Sequence, residues 1–192
     1  MSRLTVISCA SLVALSCAAT LSAQQSAPVT AKATIAGEGI TGTVTLREVS
    51  SHTGPTDPKF MTGLSAVEIT VQVTGLKPGP HGIHLHAIGK CEAPGFTSAG
   101  GHFDPGPNGM MDADMNHPFH MGDMPNIVAD AKGAAKWTFT TTRVTLSAGP
   151  LSVFDDDGTA LVIHANPDQG VTAEAKAGLS GGPRAACGVI VK

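Results

Sequence analysis

Good helix formers are in short supply along this chain: 23 glycines and 13 prolines, set among many threonines and valines, break it up too often for long helices. Basic residues are scarce too. Twelve lysines and arginines against fifteen acids leave a formal charge of −3, which removes the electrostatic case for a nucleic-acid partner. The apolar run near the N-terminus falls short of the roughly 20 residues a membrane-spanning helix needs, so no membrane span is expected. Cysteines number four in the whole sequence. What is present, 192 residues of which 42% are hydrophobic, suffices for one cored domain built of strands.

The N-terminus reads as a secretory signal, with Arg3 ahead of an uncharged apolar stretch and a small-residue end that places cleavage after Ala23. The chain then divides into a signal peptide at 1–23, a flexible lead-in at 24–30 and a single β domain at 31–192. Export to the periplasm follows. Cys17, after Ala14-Leu15-Ser16, loosely matches a lipidation box and offers a lipid-anchored alternative. Cleavage removes Cys9 and Cys17 and leaves Cys91 and Cys187, which an exported protein most simply pairs; free thiols or copper ligands are the other readings.

Short alternating segments fill the domain. Strands are expected at Ala31 to Ala36 and Thr41 to Glu48, over the alternation that begins at Ala66, and at His81 to Ala87, Asn126 to Asp130, Ala134 to Thr141, Leu161 to His164 and Gly188 to Val191. Strands of this length with turn signals between them point to an all-β, Greek-key β-sandwich or flattened barrel. Gly89 to Pro125 and Ala165 to Ala186 are too long for plain turns, and loops of that kind in a compact domain usually carry function.

Six of the eight histidines lie between Gly79 and Asp123, and that crowding asks for a metal. In "HGIHLHA" a strand sets His84 and His86 on one face and Ile83 and Leu85 on the other. A lone pair of this kind is by default a solvated strand face. His102 and His164, each at the edge of a long loop, shift the balance toward an imidazole-rich site of the type that suits Cu(II). In "HPFHMGD", His117, His120 and Asp123 are three apart, within reach of one zinc ion, though loop residues that happen to be polar would read the same way. Met110, Met111, Met115, Met121 and Met124 are either soft Cu(I) ligands or packing groups.

"GPHGIHLHAIGKCE", "TSAGGHFDP", "HMGDMPNIVAD", "LVIHANPD" and "GGPRAACGVI", in this order, resemble the copper/zinc superoxide dismutase family in its exported bacterial form. The resemblance implies copper on His84, His86, His102 and His164, and zinc on His102, His120 and Asp123, with His102 bridging. It further implies an aspartate at Asp168 behind the ligands, a superoxide-attracting arginine at Arg184 and a Cys91–Cys187 disulfide; members of the family pair through different surfaces, which leaves the choice between a homodimer and a single chain open. His102 would be the catalytic proton carrier, releasing copper on reduction. One ligand is missing: counting eight on from His102 reaches Met110 where the family has a zinc histidine, and His117 is the candidate replacement. His81 is expected to support the ligands through hydrogen bonds. The activity implied is disproportionation of superoxide; the alternative is a periplasmic copper-buffering protein with the same sandwich.

Overall fold

A computed structural model describes residues 27–50, 65–105, 120–170 and 178–192. The expected signal peptide and His117 lie outside the described residues. Among the described residues nine strands follow one another: β1 (Thr30–Gly37), β2 (Ile40–Ser50), β3 (Ser65–Thr74), β4 (Gly79–His81), β5 (Ile83–His86), β6 (Ile127–Ala129), β7 (Ala135–Thr141), β8 (Ala160–His164) and β9 (Arg184–Val189). Among the described residues the sole helical element is a 3-10 turn at Thr97–Ala99, and no helix is long and apolar enough to cross a membrane.

Seven strands form one curled antiparallel sheet in the order β5-β8-β9-β1-β2-β3-β7, and β4 pairs with β6 in a second. The first three strands form by simple alternation. In β1, Ala31, Ala33 and Ile35 turn inward while Thr30, Lys32 and Thr34 face water. The β1–β2 connection is the two residues Glu38 and Gly39, and Gly39 takes φ 68°, a conformation that glycine adopts without penalty. Val44 and Leu46 of β2, Ile69 and Val71 of β3 and Leu161 and Ile163 of β8 meet in one core. Complete burial of each such side chain is worth about 1.5–3 kcal/mol.

Two elements differ from the sequence expectation for local reasons. The strand expected over His81 to Ala87 is two strands parted at Gly82, whose N–H bonds Asn166 O at 2.9 Å and whose carbonyl accepts from His164 N at 2.8 Å. The last strand begins at Arg184, four residues before the expected start. Small residues at Ala185 and Ala186 hide its alternation, but register with β8 fixes it.

β8 is buried on both faces. Ala160 and Val162 pack on a second cluster with Phe96, Ala99 and Cys187. This cluster underlies the Cys91–Cys187 disulfide, which closes a separation of 96 residues and ties the first long loop to β9. Fixing a loop of that length against the unfolded chain contributes about 4–5 kcal/mol in the chain-entropy model.

Candidate metal centre

β5 places His84 and His86 on the face opposite Ile83 and Leu85, as its two-residue period requires, and both imidazoles are fully buried. Two other rings come to meet them. His164 ends β8 at a register shift against β9, the kind of irregularity that re-aims a side chain. His102 arrives on a segment laid beside β5, where Phe103 N donates to Leu85 O at 2.8 Å and Ala87 N to Gly101 O at 2.9 Å. His84 and His102 stack with centroids 4.0 Å apart, and His164 stands edge-on to His84 at 4.9 Å. The four side chains each present a ring nitrogen within 4.8 Å of the others.

Each ring is anchored from behind. His84 Nε2 donates to Asp168 Oδ2 at 2.8 Å, His86 Nδ1 to Gly100 O at 2.9 Å and His164 Nδ1 to Gly182 O at 2.9 Å. Those bonds fix the tautomers, so His84 Nδ1, His86 Nε2 and His164 Nε2 keep their lone pairs. All three atoms are buried without a hydrogen-bond partner. Three orphaned buried acceptors facing one another would cost about 1–3 kcal/mol each if left so. A cation ligated by all three removes that cost, and this all-nitrogen set fits copper.

His102 also belongs to a second group. Its Nδ1 donates to Asp123 Oδ1 at 2.7 Å, leaving Nε2 for the first group, and His120 Nδ1 stands 3.5 Å from Asp123 Oδ2. His102, His120 and Asp123 thus offer three ligand atoms, a set that suits zinc. Their turn is held by Arg143, which donates to His120 O at 3.3 Å and to Asp123 O. Gly122 within the turn lies so close to β5 that a Cβ there would meet Leu85 O at 2.4 Å. Of the methionines, Met124 is buried and Met121 packs on the core; Met110, Met111 and Met115 lie outside the described residues.

Burial and its neighbours govern protonation here. Desolvation and repulsion from His84 push His164 down to about 3 and His102 to about 4, and desolvation holds His86 well below the ordinary imidazole range. For Asp123, burial works upward, but hydrogen bonds from His102 and His120 outweigh it and hold the carboxyl well below the usual carboxylate range. His86, His102 and His164 are therefore neutral at pH 7 without metal, as ligation requires.

A cavity of about 40 Å³ opens onto the first group between His86, His102, His164, Gly178, Ser180, Gly182 and Arg184, room for a molecule of about water's size. The Arg184 guanidinium sits at its edge, donating to Phe96 O at 2.7 Å and Gly100 O at 2.6 Å, so its charge is fixed in place. His81 is no ligand. Its Nδ1 lies 2.8 Å from His164 O and its Nε2 2.8 Å from Lys77 O, which supports the backbone of His164. Composition and spacing give no signal for Gly100, Gly182, Asn126 or Arg143, because two of these act through the backbone and two through contacts distant in sequence.

Residues 40–190 match a family model described as copper/zinc superoxide dismutase (SODC). The chain is 39% identical over 130 residues to a Cu-Zn superoxide dismutase of Aquifex aeolicus, an alignment covering 66% of this chain and 73% of that protein. It is 38% identical over 129 residues to a Cu-Zn superoxide dismutase of Caulobacter vibrioides, covering 65% and 71%. Among solved structures it resembles a doubly substituted SOD-like protein from Bacillus subtilis with TM-score 0.63 and 26% identity, over 84% of this chain and 97% of the other.

Proposed function

Because this chain belongs to the copper/zinc superoxide dismutase family, we propose that it converts superoxide to dioxygen and hydrogen peroxide at a copper held by His84, His86, His102 and His164. The observation that carries this reading is the convergence of orphaned nitrogens on His84, His86 and His164 beside the shared ring of His102. Copper there supplies one-electron chemistry, so that two superoxide anions and two protons become one dioxygen and one hydrogen peroxide.

The chain's own residues do the rest. Asp168, Gly100 O and Gly182 O keep three imidazoles aimed at one point, which limits the reorganisation that an electron transfer requires. His102, whose Nδ1 faces Asp123 and would give up its proton there to a zinc ion, has Nε2 as the atom that takes up a proton and passes it to the departing peroxide. Arg184 gives the cavity a local positive field that draws an anion toward a protein of net negative charge. Zinc on the far side of His102 would rest on His120 and Asp123, with His117 proposed as the fourth ligand. The closed disulfide supports an oxidising compartment, so we place the mature protein, freed of residues 1–23, in the periplasm, with Cys17 as an alternative lipid attachment point.

Elemental analysis of protein from the exporting cell, paired with a superoxide-decay assay, tests the reading. One copper and one zinc per chain with fast decay is expected, and His117→Ala should lower zinc content alone. Full copper with decay no faster than the uncatalysed reaction would identify a copper-buffering protein instead.

A further inference from the structure

Asp168 lies four residues beyond the end of β8, in the second long loop, bordered by one isolated bridge to Ser180. A loop position is a poor place from which to fix an imidazole, yet the Asp168 carboxylate is engaged at both oxygens: Oδ2 accepts from His84 Nε2 at 2.8 Å and Oδ1 from Gly170 N at 2.7 Å. A side chain from elsewhere holds its backbone. Asn126 Nδ2 donates to Asp168 O at 2.8 Å, and Asn126 Oδ1 accepts from Asp168 N at 2.8 Å. One amide thereby pairs with both main-chain groups of a single residue, as a neighbouring strand would, and satisfies two polar groups that the loop otherwise leaves to solvent.

Asn126 stands immediately before β6 and three residues after Asp123. It links the segment that carries the second metal group to the residue that orients the first. The Asp168 carboxylate determines which nitrogen of His84 is protonated, and so which one, Nδ1, faces the other imidazoles. We propose that Asn126 is a positioning residue for the copper ligand His84, acting through Asp168; this rests on the copper assignment made above. Without the amide, Asp168 keeps its bond to Gly170 N but loses the tie that sets the loop against β6. His84 Nδ1 is then aimed less narrowly.

The test uses copper-loaded mature protein carrying Asn126→Ala, Asn126→Asp or His84→Ala. Copper affinity is read by chelator competition, the ligand field by Cu(II) electron paramagnetic resonance, and folding by thermal unfolding. Asn126→Ala should weaken copper binding about tenfold, the low end for residues behind a metal ligand, and alter the copper hyperfine splitting. Asn126→Asp keeps the acceptor for Asp168 N but not the donor to Asp168 O, and should fall between. A purely structural role would lower the unfolding temperature yet leave the spectrum of the folded, loaded protein unchanged, and that result overturns the proposal. Should Asn126→Ala fail to fold, the spectrum of Asn126→Asp decides. Copper affinity that survives His84→Ala would sink the copper assignment itself, whereas loss there with unchanged Asn126 variants sinks only the role of Asn126.

Discussion

Stripping the metals and lowering the pH should unfold this protein through its own site. His164 and His102 are pushed down to about 3 and about 4 by burial and by repulsion from His84, and burial moves His86 in the same direction. In an unfolded chain the same rings take up protons near pH 6.5. Their folded values are depressed, so below pH 6.5 the unfolded state binds protons that the folded state refuses, and stability falls with pH. Each ring loses about 2 kcal/mol between pH 7.5 and 5.0, or about 4 kcal/mol for His102 and His164 together, with His86 adding to it. That is a large share of the roughly 5–15 kcal/mol that holds a domain folded. Asp123, Asp168 and Glu48 have lowered values, so their contribution is lost only as the pH drops below about 4.5, outside this window. Urea unfolding of chelator-treated protein at pH 7.5, 6.0 and 5.0, followed by the fluorescence of Trp137, the single tryptophan, measures the effect. The midpoint should fall steeply with acidification, with about two to three protons taken up on unfolding at pH 5. Metal-loaded protein should show a much flatter profile. A midpoint that is level or rises from pH 7.5 to 5.0 in the stripped protein would refute the reasoning.

Three further outcomes are expected. Arg184→Ala should lower kcat/KM about tenfold at low salt and flatten its salt dependence, while Arg184→Lys keeps most of the attraction; equal rates for Ala and wild type would remove Arg184 from steering. Reducing the Cys91–Cys187 bond should lower the unfolding temperature by about 10–20 °C, from about 4–5 kcal/mol spread over a domain of this size. Glu48 is buried and its Oε2 accepts from Leu146 N at 2.9 Å, Ser147 N at 2.6 Å and Ser147 Oγ at 2.8 Å. Glu48→Gln should cost about 1–3 kcal/mol in urea unfolding, with the copper spectrum unchanged.

The part of the site that sits on strands was legible in the sequence. His84 and His86 obey the two-residue period, and the fold brings them together with His102 and His164. The anchors behind the rings were not legible. Gly100 and Gly182 act through carbonyls that every residue possesses, and Asn126 reads as an ordinary residue before a strand until Asp168 is brought beside it. The break at Gly82 escaped for a similar reason: it arises from bonds to residues more than eighty positions away. Alternation predicted β1 to β3 well because one face is wet, whereas β8 and β9, covered on both sides or built of small residues, carry no such contrast.

β5 is the last strand of its sheet, and an outermost strand ordinarily presents open amides and carbonyls to any passing chain. Here loop backbone seals that border: Leu85 N bonds Gly122 O at 2.9 Å and Leu85 O accepts from Phe103 N. The turn that brings His120 and Asp123 to a metal is therefore also a hem on the sheet. Were that turn displaced, a short, uncharged strand edge would be bared, so the residues that shape the second metal group also guard this sheet against strand-to-strand association.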